Sequence, residues 1–586
     1  MTNATKTQQR TRTDWDVVKR LAGYLRGEGV RLFGVLITLI LSTVGQALGP
    51  TLIATAVDDY IAEGLRAGLA ETMLLLLAAY VVGWIGFAGQ IYLMGVVSQR
   101  LLMKLRADIF AHTQKLSLNY FFQNGAGDLM SRLVNDTGAI GSLFSQALVQ
   151  SLGSVFGLIA VLIAMFSLNV QLSLVTVLIL PLMIVTTAVF SRRSRVAFRE
   201  TRRTLGELSA DLEEDLSTVR EAQSFAVTDA IVAQFEHHNA ANRDANITAT
   251  GITAAFAPTM DILSTLSTVL VAGYGGWLAI NGEITVGIVI AFLSYAQQFF
   301  RPVQQLSNLY TQMQSAFAAG ERVFDLLDTV PEIQNKPNAV ALPPIEGHVQ
   351  FEDVVFGYDD THIVLDGISL AAQPGETIAL VGGTGSGKST VVNLIGRFYD
   401  INSGQLLVDG YDVRDVTIQS LRTQMGEVPQ SSFLFGDTIA NNLRYGRRDA
   451  TDAEVIEAAK AVQAHDFITA LPDQYDTVLT SEGGSLSQGQ RQLLCIARAL
   501  LADPQLLILD EATSNIDTRT ERLVQAAIDI ILEGRTAFVI AHRLSTIRHA
   551  SRIVVIGDGG IVEEGTHEEL LAHDGFYANL VRVQHR

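Results

Sequence analysis

The stretch Gly382-Gly383-Thr384-Gly385-Ser386-Gly387-Lys388-Ser389-Thr390 combines glycines, a lysine and hydroxyl side chains at the spacing G-x-x-x-x-G-K-[ST]. Glycines let successive backbone N–H groups turn toward a phosphate chain, where side chains would obstruct them. Lys388 has the reach for the outer phosphates of a nucleoside triphosphate, and the Ser389 hydroxyl suits Mg²⁺. Such a loop works between a strand and a helix. Thr377 to Val381 is β-branched and apolar enough for a buried strand, and Val391-Val392-Asn393-Leu394-Ile395 continues a helix from near Lys388. The start of that helix adds the positive end of its dipole.

Other residues fit triphosphate hydrolysis. Gln505 to Asp510 reads as a buried strand ending in a carboxylate, which places Asp510 in the Mg²⁺ shell. Glu511 follows at once and is positioned to polarise the attacking water as general base. Gln430, after Glu427-Val428-Pro429, is placed to sense the γ-phosphate or the metal. The metal set is therefore Ser389, Gln430 and Asp510. His542 follows the strand Ala537 to Ala541 and would contact the γ-phosphate and orient Glu511. Tyr358 follows Val354-Val355-Phe356 and would stack on adenine. A histidine or tyrosine alone at such a place is ordinarily structural, so these two assignments rest on the whole set. The implied ligands are ATP and Mg²⁺.

The rest of the chain must hold this chemistry. It is 586 residues long, 48% hydrophobic and only 17% charged, and its mean hydropathy of +0.28 belongs to a membrane component. The net charge is −18, nearly all of it carried from Ala341 onward. That balance argues against sequence-independent nucleic-acid binding. The single cysteine, Cys495, allows no internal disulfide. Met1 to Asp14 lacks the apolar core of a cleavable signal, so insertion is expected to use the first span. Trp15, Val18, Leu21, Ala22 and Leu25 form one face of a helix lying at the cytoplasmic interface or packed as an ordinary surface helix.

Charge-free stretches predict six spans: Leu32 to Val57, Thr72 to Gln99, two within Thr137 to Ser191 divided at Ser167-Leu168-Asn169, Ile262 to Gly282, and Ile284 to Phe300. Basic residues crowd the connections after spans two and four, including Arg100, Lys104, Arg192, Arg193 and Arg195. These connections are therefore cytoplasmic, with both termini inside. No Pro or Gly cluster interrupts Arg192 to Ala230, so the spans are expected to continue as helices beyond the membrane. Pro331, Pro337, Pro343 and Pro344 mark a linker. The predicted organisation is an all-α six-helix transmembrane domain over 1–328, a linker over 329–347, and an α/β nucleotide-binding domain over 348–586.

Leu486-Ser487-Gln488-Gly489-Gln490-Arg491-Gln492 resembles the signature motif of ATP-binding cassette (ABC) proteins. It is followed by Ile496-Ala497-Arg498-Ala499-Leu500 and Asp510-Glu511-Ala512-Thr513-Ser514, as in that family. Six spans ahead of one cassette resemble an ABC exporter half-transporter, and Leu116 to Asp136 is similar to its first intracellular loop. The resemblance implies cassettes paired head to tail, with Ser487, Gln488, Gly489 and Gln490 of each facing the ATP of the other. It also implies coupling helices near Ser117 to Phe122 and Ser217 to Gln223. Two departures stand out: Gln488 replaces the commoner first glycine, and Ser514-Asn515-Ile516-Asp517 replaces the commoner Ser-Ala-Leu-Asp. With Glu511 intact, the combination resembles the catalytically complete half of a heterodimeric exporter, a homodimer being the other possibility.

The cargo expected of so apolar a membrane domain is a hydrophobic or amphipathic drug, lipid or peptide. Gln46, Gln90, Gln146, Gln150, Gln297, Gln298 and Asp261 are polar groups at or near membrane depth that either line its path or bond across helices. The resemblance places the chain in a bacterial cytoplasmic membrane. The alternative, an ATP-gated channel or regulatory ABC membrane protein, needs binding without turnover, and Glu511 with His542 argues for turnover.

Overall fold

The computed structural model describes residues 14–584, apart from 360, 481–485, 511–517, 542–546 and 549. The chain divides into two compact units, Met1–Gln114 with Asn124–Thr329, and Lys115–Gln123 with Val330–Arg586.

The first unit is helical. Helix α1 (Asp14–Tyr24) buries Val17 and Leu21. The face expected from sequence is corrected in part: Leu21 is buried as expected, but Val17 joins it and Trp15 does not. Trp15 is 72% exposed, and the buried pair, one helical turn apart, packs on the tail of α11 (Val286–Asp328). There a Cβ on Gly320 would meet Val17 Cγ1 at 2.6 Å. The Arg20 guanidinium lies 4.4 Å from the Phe324 ring centroid and pairs with Asp328 at 2.5 Å. These contacts turn the apolar stripe of α1 into a docking face.

Among the described residues, five helical stretches are long and apolar enough to cross a membrane: Gly29–Ile61, Leu69–Thr113, Leu118–Leu168, Val170–Ser217 and Thr228–Ile280. The sixth apolar stretch, Val286–Phe300, is shorter and opens the 43-residue α11. The first begins as α2 (Gly29–Thr55), and the second is α3 (Leu69–Thr113). At 1.5 Å per residue the 45 residues of α3 run about 68 Å, roughly twice a bilayer core, so it projects well beyond the membrane. Small residues bring α2 and α3 together, since a Cβ on Gly45 would meet Ala79 O at 2.5 Å and Gly83 Cα at 2.8 Å.

Side-chain caps set the turns between spans. Asn169 Oδ1 accepts from Leu172 N at 2.9 Å, dividing α6 (Val149–Leu168) from α7 (Val170–Val177) as the sequence suggested. Asp58 accepts from Gly287 N at 2.7 Å and from Thr285 Oγ1 at 2.5 Å, holding the end of the first span to the start of α11. Farther along, Asp136 is buried in a π-helical turn (Arg132–Asp136) and takes two bonds from Arg322 of α11, at 2.9 and 2.5 Å.

The helix expected to continue from Arg192 to Ala230 is interrupted. Helix α8 (Leu180–Ser217) ends where the Ser217 and Thr218 hydroxyls both donate to Glu214 O at 2.8 Å. A short helix, α9 (Val219–Ser224), and a turn through Ala226 at φ +52° precede α10 (Thr228–Ile280). Local hydroxyl-to-carbonyl bonds made a break that no Gly or Pro announced. Helix α4 (Leu118–Ser131) likewise breaks at Gly125, with φ 65° and ψ 149°, just after the chain re-enters the first unit.

The second unit carries two sheets. A six-stranded sheet runs β10-β9-β3-β8-β7-β6, with β3 (Thr377–Val381), β6 (Met425–Val428), β7 (Leu506–Asp510), β8 (Thr536–Ile540), β9 (Arg552–Gly557) and β10 (Gly560–Gly565). All its pairings except β9–β10 are parallel. The second sheet is antiparallel, β2-β1-β4-β5, from β1 (Val349–Phe356), β2 (Leu365–Ala372), β4 (Ser403–Val408) and β5 (Tyr411–Asp412). One core fills the space around α12 (Lys388–Ile395). Another surrounds α17 (Gln488–Leu501).

The proline-bearing stretch 329–347 is irregular but strapped down. Val340 N donates to Asp415 O at 3.0 Å, Leu342 N to Ser420 Oγ at 2.8 Å, and Ile345 N to Gln424 Oε1 at 2.9 Å. Leu342 and Ile345 are buried.

Cys495 is buried in the second core, and burial pushes its thiol above the ordinary value. The native protein is expected to leave it unreacted with Ellman's reagent at about pH 8 and to release one thiol on unfolding. A native thiol count of one would contradict this burial.

Candidate functional site

The parallel ladders build the site. Leu380 pairs with Ile540 across β3–β8, Asp510 with Ile540 across β7–β8, and Val428 with Leu509 across β6–β7. The carboxyl ends of four strands therefore finish along one sheet edge, where α/β folds bind ligands. Gly382, Asp510 and Gln430 leave from this edge. Gln430 is exposed two residues past β6. The sequence expectation brought together Gly382 to Thr390, Asp510 and Gln430, and the register does so. Glu511 and His542 lie outside the described residues.

The loop from Gly382 to Gly387 is shaped by close approach. A Cβ on Gly382 would meet Ile556 O at 2.3 Å and Ser386 Oγ at 2.6 Å. Gly387 sits at φ +104° and begins α12, a conformation L side chains rarely adopt. Gly383, Thr384, Gly385 and Ser389 are exposed, while Thr390 and Lys388 are buried. Lys388 Nζ folds over the loop and donates to Gly382 O at 3.0 Å and Gly383 O at 2.8 Å. Burial pushes this ammonium below its ordinary value, and the Asp510 carboxylate pulls it back up. Ser386 Oγ is buried without a hydrogen-bond partner. An orphan hydroxyl beside a buried ammonium and a glycine-lined turn fits a phosphate group. Ser389 and Asp510 contribute oxygen donors, which suit Mg²⁺. Among the described residues no cluster of three or more His, Cys, Asp or Glu makes a metal site by itself.

Tyr358 hydrogen-bonds Thr390 Oγ1 at 3.0 Å and meets Tyr399 edge-on, ring centroids 5.0 Å apart. Sequence reading missed Tyr399, since a lone aromatic after a helix carries no signal until the fold sets it against Tyr358.

Ser487 caps α17. Its Oγ accepts from Gln490 N at 3.3 Å while Gln490 Oε1 accepts from Ser487 N at 2.9 Å, a reciprocal capping box. Gln488 opens the helix and Gly489 is buried. Among the described residues no hydrogen bond joins Ser487 to Gln490 with the phosphate loop; Leu486 and Leu493 beside the signature belong to one core, and Leu380 and Val391 beside the loop to another.

Two family models match the chain: "ABC transporter transmembrane region" over residues 32–303 and "ABC transporter" over 365–514. The chain belongs to the ABC transporter family. It is 41% identical over 567 residues to the Bacillus subtilis protein "Uncharacterized ABC transporter ATP-binding protein YfiC", covering 97% of this chain and 94% of that one. It is 38% identical to an ATP-dependent lipid A-core flippase of Syntrophus aciditrophicus, over 97% of this chain and 94% of the flippase. The structure of a bacterial Atm1-family ABC exporter with ATP bound superposes with a TM-score of 0.77 at 32% identity, covering 96% of this chain and 98% of that one. The transporter is thus a multi-span membrane exporter with a helical transmembrane region and an α/β cassette. It binds and hydrolyses ATP to drive export, and exporters of this class act as dimers. Gln90, one of the polar groups at membrane depth, is buried and donates to Val149 O at 3.4 Å, so it bonds across helices. Gln46, Gln146, Gln150, Gln297 and Asp261 are exposed in the single chain.

Proposed function

We propose that this exporter moves hydrophobic or amphipathic molecules outward across a bacterial cytoplasmic membrane, both termini in the cytoplasm, with 1–328 as membrane domain, 329–347 as linker and 348–586 as cassette. The observation that carries the nucleotide reading is the phosphate loop itself, with Lys388 over its carbonyls and Ser386 Oγ buried beside them. Residues 382–390 cradle the phosphates, and Tyr358 stacks on adenine. Ser389, Gln430 and Asp510 hold Mg²⁺, which when bound neutralises charge on the phosphates. Glu511 orients and deprotonates water, and His542 contacts the γ-phosphate and steadies Glu511.

Ser487, Gln488, Gly489 and Gln490 face the nucleotide of a second cassette. That no hydrogen bond joins them to the phosphate loop among the described residues supports completion of the site by another subunit. That subunit is a different half-transporter: Gln488 alters the signature this chain offers its partner, while Glu511 keeps its own site complete. The amphipathic cargo class draws support from relatives named a lipid A-core flippase, a fatty acid transporter of Mycobacterium bovis at 41% identity, and a putative multidrug exporter of Bacillus subtilis at 37%.

ATPase activity of the purified chain in lipid, alone and as Glu511→Gln, tests the reading. Little activity alone, with rescue by a co-expressed half-transporter that Glu511→Gln lowers by about 10²-fold or more, is expected. Full activity of the chain alone would overturn the heterodimer. Undiminished activity of Glu511→Gln would overturn the assignment of the base.

A further inference from the structure

The chain passes between its two units before Lys115, after Gln123 and after Thr329. Within the second unit one side chain ties these passages together. Glu332 accepts from Ser117 Oγ at 3.0 Å and from Asn119 Nδ2 at 3.2 Å. Ser117 is buried, Asn119 lies in the part of α4 that precedes the Gly125 break, and Glu332 itself is exposed. A carboxylate so exposed adds little to folding, yet it gathers two separate stretches of chain at one point.

The stretch that carries Glu332 is also bonded to the chain just past the phosphate-loop helix. Burial, then the Tyr358 hydroxyl and last the Glu332 charge push the Tyr399 phenol above its ordinary value. Tyr399 meets Tyr358 edge-on, and Tyr358 bonds Thr390 in the first turn of α12. Beyond the other end of α12, Arg397 Nη2 donates to Gln334 O at 3.1 Å, two residues from Glu332. The chain just past α12 is therefore bonded to the stretch 332–334, and that stretch holds segment 115–123.

We propose that Glu332 is the positioning residue that couples nucleotide binding at the phosphate loop to the 115–123 segment, so that its loss separates ATP hydrolysis from movement of the membrane helices. This rests on the ATP site proposed above. The carboxylate touches neither substrate nor reacting atoms. It acts by making the segment follow α12, the element that both sites bias.

The test uses the full exporter in lipid nanodiscs with its partner subunit. A spin label is placed at Glu63→Cys, in the exposed connection after the first span, and at the matching position of the facing subunit; buried Cys495 stays unlabelled. In the unaltered exporter, ATP with Mg²⁺ and vanadate shifts the distance between labels. Glu332→Ala is expected to keep kcat and KM for ATP within about two-fold while the shifted population falls about five-fold. Ser117→Ala with Asn119→Ala should reproduce the loss from the other side. Glu332→Gln, which keeps the oxygen but not the charge, should fall between and guards against misfolding of the alanine variant. A full distance shift in Glu332→Ala would overturn the proposal. So would a parallel drop of about ten-fold or more in ATP turnover, which would put Glu332 inside the nucleotide site. Failure of the ATP-site reading shows separately, as absent turnover in the unaltered exporter.

Discussion

Lys388→Ala is expected to cut ATP turnover by about 10²–10³-fold, about 3–4 kcal/mol of transition-state stabilisation. Lys388 is 7% exposed, its two hydrogen bonds go to carbonyls of its own loop, and the Asp510 carboxylate only partly offsets the burial of its charge. Desolvation strengthens its attraction for a phosphate, the same burial that pushes it below the ordinary lysine value. Alanine removes the charge and leaves the Gly382 and Gly383 carbonyls directed at an anion. Lys388→Arg is not expected to rescue, because the planar guanidinium does not fit a site shaped around a compact ammonium. Phosphate release by the reconstituted exporter checks both variants. Turnover within about three-fold of the unaltered protein would remove Lys388 from the mechanism.

Arg397→Met should lower the calorimetric transition of the reconstituted exporter by roughly 6–20 °C, from a loss of about 3–5 kcal/mol. Arg397 is 1% exposed and adopts φ +49° just past α12. Its guanidinium donates to Asp400 Oδ1 at 2.9 Å, Val416 O at 3.1 Å and Gln334 O at 3.1 Å. Methionine fills similar length but strands both carbonyls and leaves Asp400 without its cation. Arg397→Lys restores charge without the fork that spans three acceptors, so it should recover only part of the loss. A shift below about 2 °C would show that these bonds contribute little to stability.

The phosphate loop was legible because its information is local. Glycine spacing, one lysine and a following helix lie within consecutive residues, and the structure places β3, the loop and α12 over the expected stretches. The spans were legible for the same reason, since length and absence of charge are properties of a window. Asp510 was readable as the end of an apolar run and does end β7. The break at Thr218 was not readable from local composition, because it arises from hydroxyls returning to Glu214 O rather than from Gly or Pro; only the family resemblance pointed to a short helix near Ser217 to Gln223. The buried face of α1 was misjudged for a related reason. Helical periodicity offered several apolar positions, and Gly320, Phe324 and Asp328, some three hundred residues away, chose Val17 and Leu21.

By itself the sequence determined the chemistry on offer: a loop able to hold a phosphate chain, a carboxylate at a strand end, a signature motif and a set of spans. Only the tertiary structure decided which of these groups meet. Parallel pairing of β3, β8, β7 and β6 brings Gly382, Asp510 and Gln430 to one edge, although Gly382 and Asp510 are far apart in the chain. The antiparallel sheet and the strapped stretch after α11 put Tyr399 against Tyr358 and Glu332 against Ser117. Such meetings depend on hydrogen-bond register and packing between distant segments, which no local spacing encodes.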